Sequence, residues 1–164
     1  LHSFPTRRSS DLHIALPVPL DGLEARPLYD EDFTLAVPSN SPLAKRSNVK
    51  IDDLSGETLL LLEDGHCLRD QALDVCSRID VKESEDYRAT SLETLRQMVA
   101  AGLGITLLPK LATRGPFGSG QGLTVKEFSR PVPSRSIGAV WRKSTARTDA
   151  IKAVCDAINS SMPD

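Results

Sequence analysis

Two cysteines define the chemistry open to this chain. Cys67 follows Glu63-Asp64-Gly65-His66, and Cys76 comes nine positions later, after Leu68-Arg69-Asp70-Gln71-Ala72-Leu73-Asp74-Val75. Ahead of them Leu59-Leu60-Leu61-Leu62 is an apolar run of buried-strand length, and Asp64-Gly65 is a turn signal. Beyond the turn, Leu68, Ala72, Cys76 and Ile79 recur at intervals of four, four and three, which draws one apolar stripe along a helix. The order strand, turn, helix places Cys67 in or just before the first helical turn. Unpaired N–H groups and the positive end of the helix dipole favour thiolate over thiol there, and His66 and Arg69 can add positive charge beside it.

Free cysteine often packs as a small hydrophobe, so each thiol has an inert reading beside the reactive one. Pattern alone reads Cys76, on the apolar stripe, as core. Cys155 lies on the stripe Ile151, Cys155, Ile158, Met162 of a final helix and reads as core too. Cys67, set among His, Leu and Arg after a turn, has the neighbours of a reactive thiol, with packing as the alternative. In a continuous helix, positions 67 and 76 would stand about 13 Å apart on opposite faces, whereas a disulfide needs Cα atoms within about 7 Å. A bond between them requires the helix to unwind, which makes it a switch rather than a staple.

The composition sets the frame for this segment. The chain has 164 residues, 40% of them hydrophobic, with a net charge of −2 and acids and bases interspersed. Such a chain can build a real core, and its totals show no basic surface for nucleic acid. No apolar run is long enough to cross a bilayer and no signal-peptide pattern opens the chain, so a cytoplasmic protein without a membrane partner is expected. Three irregularly spaced cysteines are no disulfide framework, and His2, His13 and His66 have no metal-ligand spacing with them. No metal and no cofactor is expected. Gly102-Leu103-Gly104 lacks a dinucleotide fingerprint and reads as helix termination; Asp70 and Asp74 read as a solvated face.

The supporting elements alternate short strands with helices. Residues 1–12 have neither periodicity nor the composition of the rest of the chain and read as foreign or mis-assembled sequence. His13 to Val18 is the stump of a strand, and Tyr29 to Pro38 is a full one. Asp80 to Arg88 is polar, a loop or short strand. Thr90-Ser91-Leu92-Glu93 matches a capping box between Thr90 and Glu93, with Leu92, Leu95, Met98 and Val99 inward. Ile105 to Leu108 is a buried strand closed by Pro109, Arg114 to Gln121 is a loop, Ser136 to Trp141 is a strand, and Thr148 to Met162 is an amphipathic helix. The alternation predicts α/β architecture with a mostly parallel sheet.

Three runs carry a resemblance. Glu63-Asp64-Gly65-His66-Cys67-Leu68-Arg69-Asp70-Gln71-Ala72 is highly specific, while Arg88-Ala89-Thr90-Ser91-Leu92-Glu93-Thr94-Leu95-Arg96 and Gly104-Ile105-Thr106-Leu107-Leu108-Pro109 are more widespread. Together they resemble the hydrogen-peroxide-sensing branch of the LysR-type transcriptional regulators, over roughly Ile14 to the C-terminus. The resemblance implies an α/β, periplasmic-binding-protein-like effector domain, with one complete lobe at 30–135 and remnants of the other at 13–29 and 136–164. It also implies that most of the first lobe and a helix-turn-helix domain are missing, and that antioxidant genes are activated when a disulfide forms. Cys67 matches the peroxidatic cysteine, Cys76 its resolving partner, His66 the histidine beside the reactive sulfur, and Arg135 the arginine that supports the thiolate and polarises the peroxide. Thr90 and Ser91 are candidate cleft contacts, the Ser91 hydroxyl reading as helix-capping or ligand-contacting. Implied partners are hydrogen peroxide, DNA through the missing domain, RNA polymerase, a thiol reductant, and further copies in a homodimer or homotetramer.

Two other classes compete. A LysR-type domain that binds a small effector with inert cysteines would use the same Thr90-Ser91 segment. A thiol peroxidase would need a thioredoxin-like motif for its many turnovers, and none is present.

Overall fold

The computed structural model describes residues 12–15, 21–64, 66–114, 120 and 122–161. The chain forms two compact units, one of Leu1–Asp30 with Ser136–Asp164 and one of Glu31–Arg135. All six residues singled out above as site candidates, Cys67, Cys76, His66, Arg135, Thr90 and Ser91, lie in the second unit.

In the second unit, the apolar run of the sequence becomes β3, Thr58–Leu62, with its four leucines buried. It pairs in parallel with β4, Lys82–Ala89, so that Leu62 lies opposite Ala89. On the other side of β3, Leu60 N donates to Ile105 O and Ile105 N to Thr58 O, a parallel bridge ahead of β5, Thr106–Pro109. β2, Leu23–Pro38, is antiparallel to β5 and to β6, Leu123–Glu127. The described pairings are therefore mixed rather than mostly parallel. The reason is that a strand buried on both faces, like Ile105–Leu108, reads the same whichever way its neighbours run.

Helix α1, Cys67–Cys76, lies against β3 and buries Leu68, Ala72 and Cys76 in the core with Leu59, Leu60 and Leu61. Helix α2, Leu92–Ala100, buries Leu95 and Val99, with Leu92 and Met98 partly covered. Its cap departs from the expected box by one residue. Ser91, not Thr90, is the N-cap, and its Oγ accepts from Thr94 N at 3.1 Å, while Glu93 instead accepts from Gln97. Gly102 does terminate α2, in the left-handed region at φ +82°. Gly104 serves packing instead. A Cβ there would meet Thr58 O at 2.4 Å, so only glycine lets this backbone lie against β3.

The polar stretch expected as loop or short strand is all eight residues of β4, whose buried positions are only Ser84 and Ala89. β2 likewise starts at Leu23, six residues before the expected start, and runs through Pro27.

In the first unit, β1, Leu12–Ala15, is antiparallel to β7, Ser134–Arg142, with Leu12 opposite Val140. The other residues of 1–12 lie outside the described set, as do Gly65 of the expected turn and most of the 114–121 loop. Helix α3, Thr148–Ser161, buries Cys155 against Ala139 and Trp141, with Ile151 and Leu28 beside it. Cys155 is thus the core cysteine that its stripe predicts. Met162, the last member of that stripe, is outside the described residues.

Candidate functional site

The C-terminal ends of β3 and β4 lie side by side, Glu63 N donating to Ala89 O at 3.0 Å. The two segments with candidate residues leave the sheet at this edge. One runs to His66 and Cys67, the other to Thr90 and Ser91.

His66 is the N-cap of α1 in extended conformation, its side chain making no capping bond, and Cys67 is the first helical residue. The Cys67 thiol is free and exposed. Its position is the one the sequence predicts, at the end of the helix where N–H groups lack intrahelical acceptors and the dipole is positive.

Cys76 is the last residue of the same helix, free and only 3% exposed. Burial pushes its thiol up to about 11, because the thiolate would lose its hydration there. Nine residues of intact helix hold the two sulfurs' backbones roughly 13 Å apart. The helix both orients the two thiols and keeps them from meeting.

Arg69, two residues after Cys67, is tied into an ion-pair network. Its guanidinium is largely buried, donating through Nε to Asp64 Oδ1 at 2.8 Å and lying 2.7 Å from Glu83 Oε1 through Nη2. Arg88 adds a second cation, 2.9 Å from Asp64 Oδ2. The Arg69 hydrogen bond, with the nearby Arg88 charge, lowers the Asp64 carboxyl below its ordinary value, and the Asp64 bond in turn raises Arg69. These four residues pin the first turn of α1 to the turn before it and to β4. Arg69 is drawn to them because its neighbours at the sheet edge are acids, and its charge is paired there.

Arg135 is also engaged elsewhere. Its Nε and Nη2 donate to Glu31 Oε2 at 3.0 and 2.7 Å, and its Nη1 donates to Gln71 Oε1 at 3.3 Å. Among the described residues no hydrogen bond joins it to Cys67. Glu31, buried to 5% exposure, also accepts from Leu111 N at 3.1 Å through Oε1. Gln71 stands one helical turn beyond Cys67 on nearly the same face, so the guanidinium is anchored beside the helix that carries the thiol.

Thr90 is exposed, and the Ser91 hydroxyl is occupied in capping α2, 3.0 Å from the Thr94 hydroxyl. Neither touches α1 through a hydrogen bond. Sequence reasoning missed Glu31, Asp64, Glu83 and Gln71. Asp64 and Gln71 sit inside the specific run and carried a signal through their i,i+5 and i,i+4 spacing to Arg69 and Cys67; Glu31 and Glu83, on distant strands, carried none.

This arrangement offers a solvent-facing sulfur at a helix start, a buried second thiol at the same helix's end, and two acid-paired arginines on or beside that helix, the buried Arg69 and the partly buried Arg135. The LysR substrate binding domain family matches residues 8–163. The chain is 46% identical over 136 residues to the "DNA-binding transcriptional dual regulator OxyR" of Escherichia coli K12, covering 83% of this chain and 44% of that protein. It is 45% identical over 146 residues to the "Probable hydrogen peroxide-inducible genes activator" of Mycobacterium avium, covering 88% and 47%. The crystal structure of the oxidised form of OxyR superposes with a TM-score of 0.77 at 43% identity, covering 90% of this chain and 69% of that one. The chain thus spans a little under half the length of these curated relatives. By the extent of the family match, it belongs to the LysR substrate binding domain family.

Proposed function

We propose that this chain is the redox-sensing regulatory domain of a LysR-type transcriptional activator of the peroxide response, switched by a reversible disulfide between Cys67 and Cys76. The observation that carries the reading is the placement of an exposed and a buried free thiol at the two ends of one helix, in a chain similar to proteins named for hydrogen peroxide.

The chemistry balances with these two thiols and one peroxide. The Cys67 thiolate attacks one peroxide oxygen; an S–O bond forms, the O–O bond breaks, and hydroxide leaves to take up a proton as water. Sulfur is oxidised by two electrons and oxygen reduced by two, giving a sulfenic acid. Cys76 sulfur then attacks the Cys67 sulfur, the S–S bond forms, and the sulfenic oxygen leaves with the Cys76 proton as water. The second step requires α1 to open, since the intact helix separates the pair and keeps Cys76 buried and protonated. His66 flanks the reacting sulfur, and Arg135 supports it from the Gln71 turn of α1. Thr90 and Ser91 line the same sheet edge as cleft contacts.

In the whole protein, the altered α1 would be read out on DNA through a helix-turn-helix domain, with RNA polymerase as the downstream partner. The protein would act in the cytoplasm as a homodimer or homotetramer and be reset by a thiol reductant. It is a regulator that reacts once per signal and not a peroxidase.

Equimolar hydrogen peroxide followed by proteolysis and mass spectrometry tests the reading. The expected product is a Cys67–Cys76 linked peptide with Cys155 still free. A dominant bond to Cys155 contradicts the pairing, and three unchanged thiols favour an effector-binding domain with inert cysteines.

A further inference from the structure

Glu31 stands out among the buried groups that the reaction above does not use. Its carboxylate is almost fully buried yet takes three hydrogen bonds, two from Arg135 through Oε2 and one from Leu111 N through Oε1. An acid so enclosed and so fully bonded holds its partner in one place, and a carboxylate with both donors of a guanidinium edge on it cancels most of that cation's field at a distance. The remaining edge of the same guanidinium reaches Gln71 on α1. Because Gln71 is four residues after Cys67, this anchor lies about one helical pitch, or roughly 5 to 6 Å along the axis, from the thiol's own position.

We propose that Glu31 is a positioning residue that acts on Cys67 through Arg135, fixing the guanidinium beside α1 while masking its charge, so that the reduced thiol is held at moderate reactivity as long as the helix is intact. The proposal rests on the reading of Cys67 as the reacting thiol. Glu31 is thereby a brake on the site rather than part of it. Its one carboxylate also ties α1, through Arg135 and Gln71, to the Lys110–Thr113 turn that follows β5. Opening α1 moves Gln71, so oxidation is expected to loosen this tie.

The other charged groups around the start of α1 are Glu63, His66, Asp70 and the Asp64, Arg69, Glu83 and Arg88 cluster. All of them stay in place when Glu31 is changed, so their share of the field on Cys67 is constant across variants of Glu31 and Arg135.

The test is the pH profile of Cys67 alkylation by iodoacetamide, followed on the Cys67 peptide by mass spectrometry, in the 164-residue chain and in Glu31→Gln, Arg135→Gln and the double variant. Glu31→Gln unmasks the Arg135 charge, so its profile moves to lower pH and alkylation near neutrality rises by about threefold. In the Arg135→Gln background the buried carboxyl, left without its cation, is neutralised by a proton, so the same change removes no charge and the profile moves little. Glu31→Asp keeps the charge but draws it back by one methylene, and gives a smaller shift of the same sign even if Glu31→Gln fails to fold. A profile that stays put or moves to higher pH in the Glu31 variants overturns the proposal, as does a shift equally large without Arg135. Alkylation needs no peroxide, so failure of the peroxide reading would show up separately, as thiols that alkylate normally but never form the 67–76 bond.

Discussion

The two ends of α1 present the same functional group in opposite conditions. At the N-terminal end, Cys67 faces solvent at the positive pole of the helix. At the C-terminal end, Cys76 is buried among leucines and its thiol is pushed up to about 11. A reaction in two steps needs this asymmetry. The first thiol must meet a small oxidant in water, and the second must stay intact until an oxidised partner exists to receive it. One ten-residue helix supplies both conditions, and its rigidity supplies a third, since neither thiol reaches the other until the backbone gives way.

Removing the exposed sulfur should abolish the asymmetry with the largest effect. Cys67→Ser is expected to lower peroxide-driven oxidation by more than about a hundredfold, because a hydroxyl ionises far less than a thiol and does not form a sulfenic acid. Counting free thiols after peroxide checks it; unchanged loss of thiol in Cys67→Ser would mean Cys76 or Cys155 is the reacting group. Cys76→Ser keeps the first step but not the second, and a dimedone adduct on Cys67 is the expected product.

Disturbing the floor beneath both ends comes next. Gly104→Ala drives a methyl into Thr58 O of β3, and a loss of about 3 kcal/mol in unfolding free energy is expected by denaturant titration. With β3 displaced, Cys76 should become reactive toward alkylating reagents, erasing the difference between the two ends. A melting curve like that of the parent would show that the backbone there has room to shift.

A smaller effect is expected at one end alone. Arg69→Met leaves the more exposed Arg88 as the cation shared by Glu83 and Asp64, and removal of the largely covered Arg69–Glu83 contact makes the expected loss about 1 kcal/mol. It falls at the Cys67 end, so hydrogen exchange should rise in the first turn of α1 before the last. The same network makes an acid-side prediction. The Asp64 carboxyl is lowered on folding, so its contribution is present above its ordinary value of 3.8 and is lost as pH falls through the folded value. That acid loss should be weaker in Arg69→Met.

The effect hardest to detect belongs to the buried end, because it emerges only in alkali. The Cys76 thiol is raised from 9.0 to about 11, so its contribution is whole below about pH 9 and is lost as pH climbs toward 11, by up to about 2 kcal/mol. Cys76→Ala should flatten this alkaline decline, as unfolding free energies at about pH 8 and about pH 10.5, on either side of the ordinary thiol value, would show. An equal decline in both proteins would place the cause elsewhere.

Local patterns in the sequence reveal the asymmetry but not what holds it. The apolar stripe tells which side of α1 is buried, the turn before His66 tells of the exposed start, and Cys155 follows from its own stripe. Each of these is a short-range regularity of a single element. Arg69 and Arg135 are harder. Arg69 sits within a turn of Cys67 in sequence, yet Glu83, on a strand that its polar residues disguise, is one of the acids that pair with it. Arg135 meets Glu31 across 104 positions of sequence, and no periodicity links two residues so far apart. The second glycine of Gly102-Leu103-Gly104 escapes a local reading for a similar reason: its need for a missing side chain comes from Thr58, not from its own helix. The cap at Ser91 rather than Thr90 is a one-residue slip at a helix end, where both residues have a hydroxyl.

If the asymmetry works as a switch, the disulfide between Cys67 and Cys76 forms only at the expense of the helix between them. Hydrogen exchange across residues 68–75, on protein whose 67–76 bond has been mapped and found complete, bears on this most directly. The slow amides of α1 in the reduced protein should exchange markedly faster or in a new pattern once the bond is formed, and regain protection on reduction. A fully formed bond with the protection of residues 68–75 unchanged would show that the helix does not have to open.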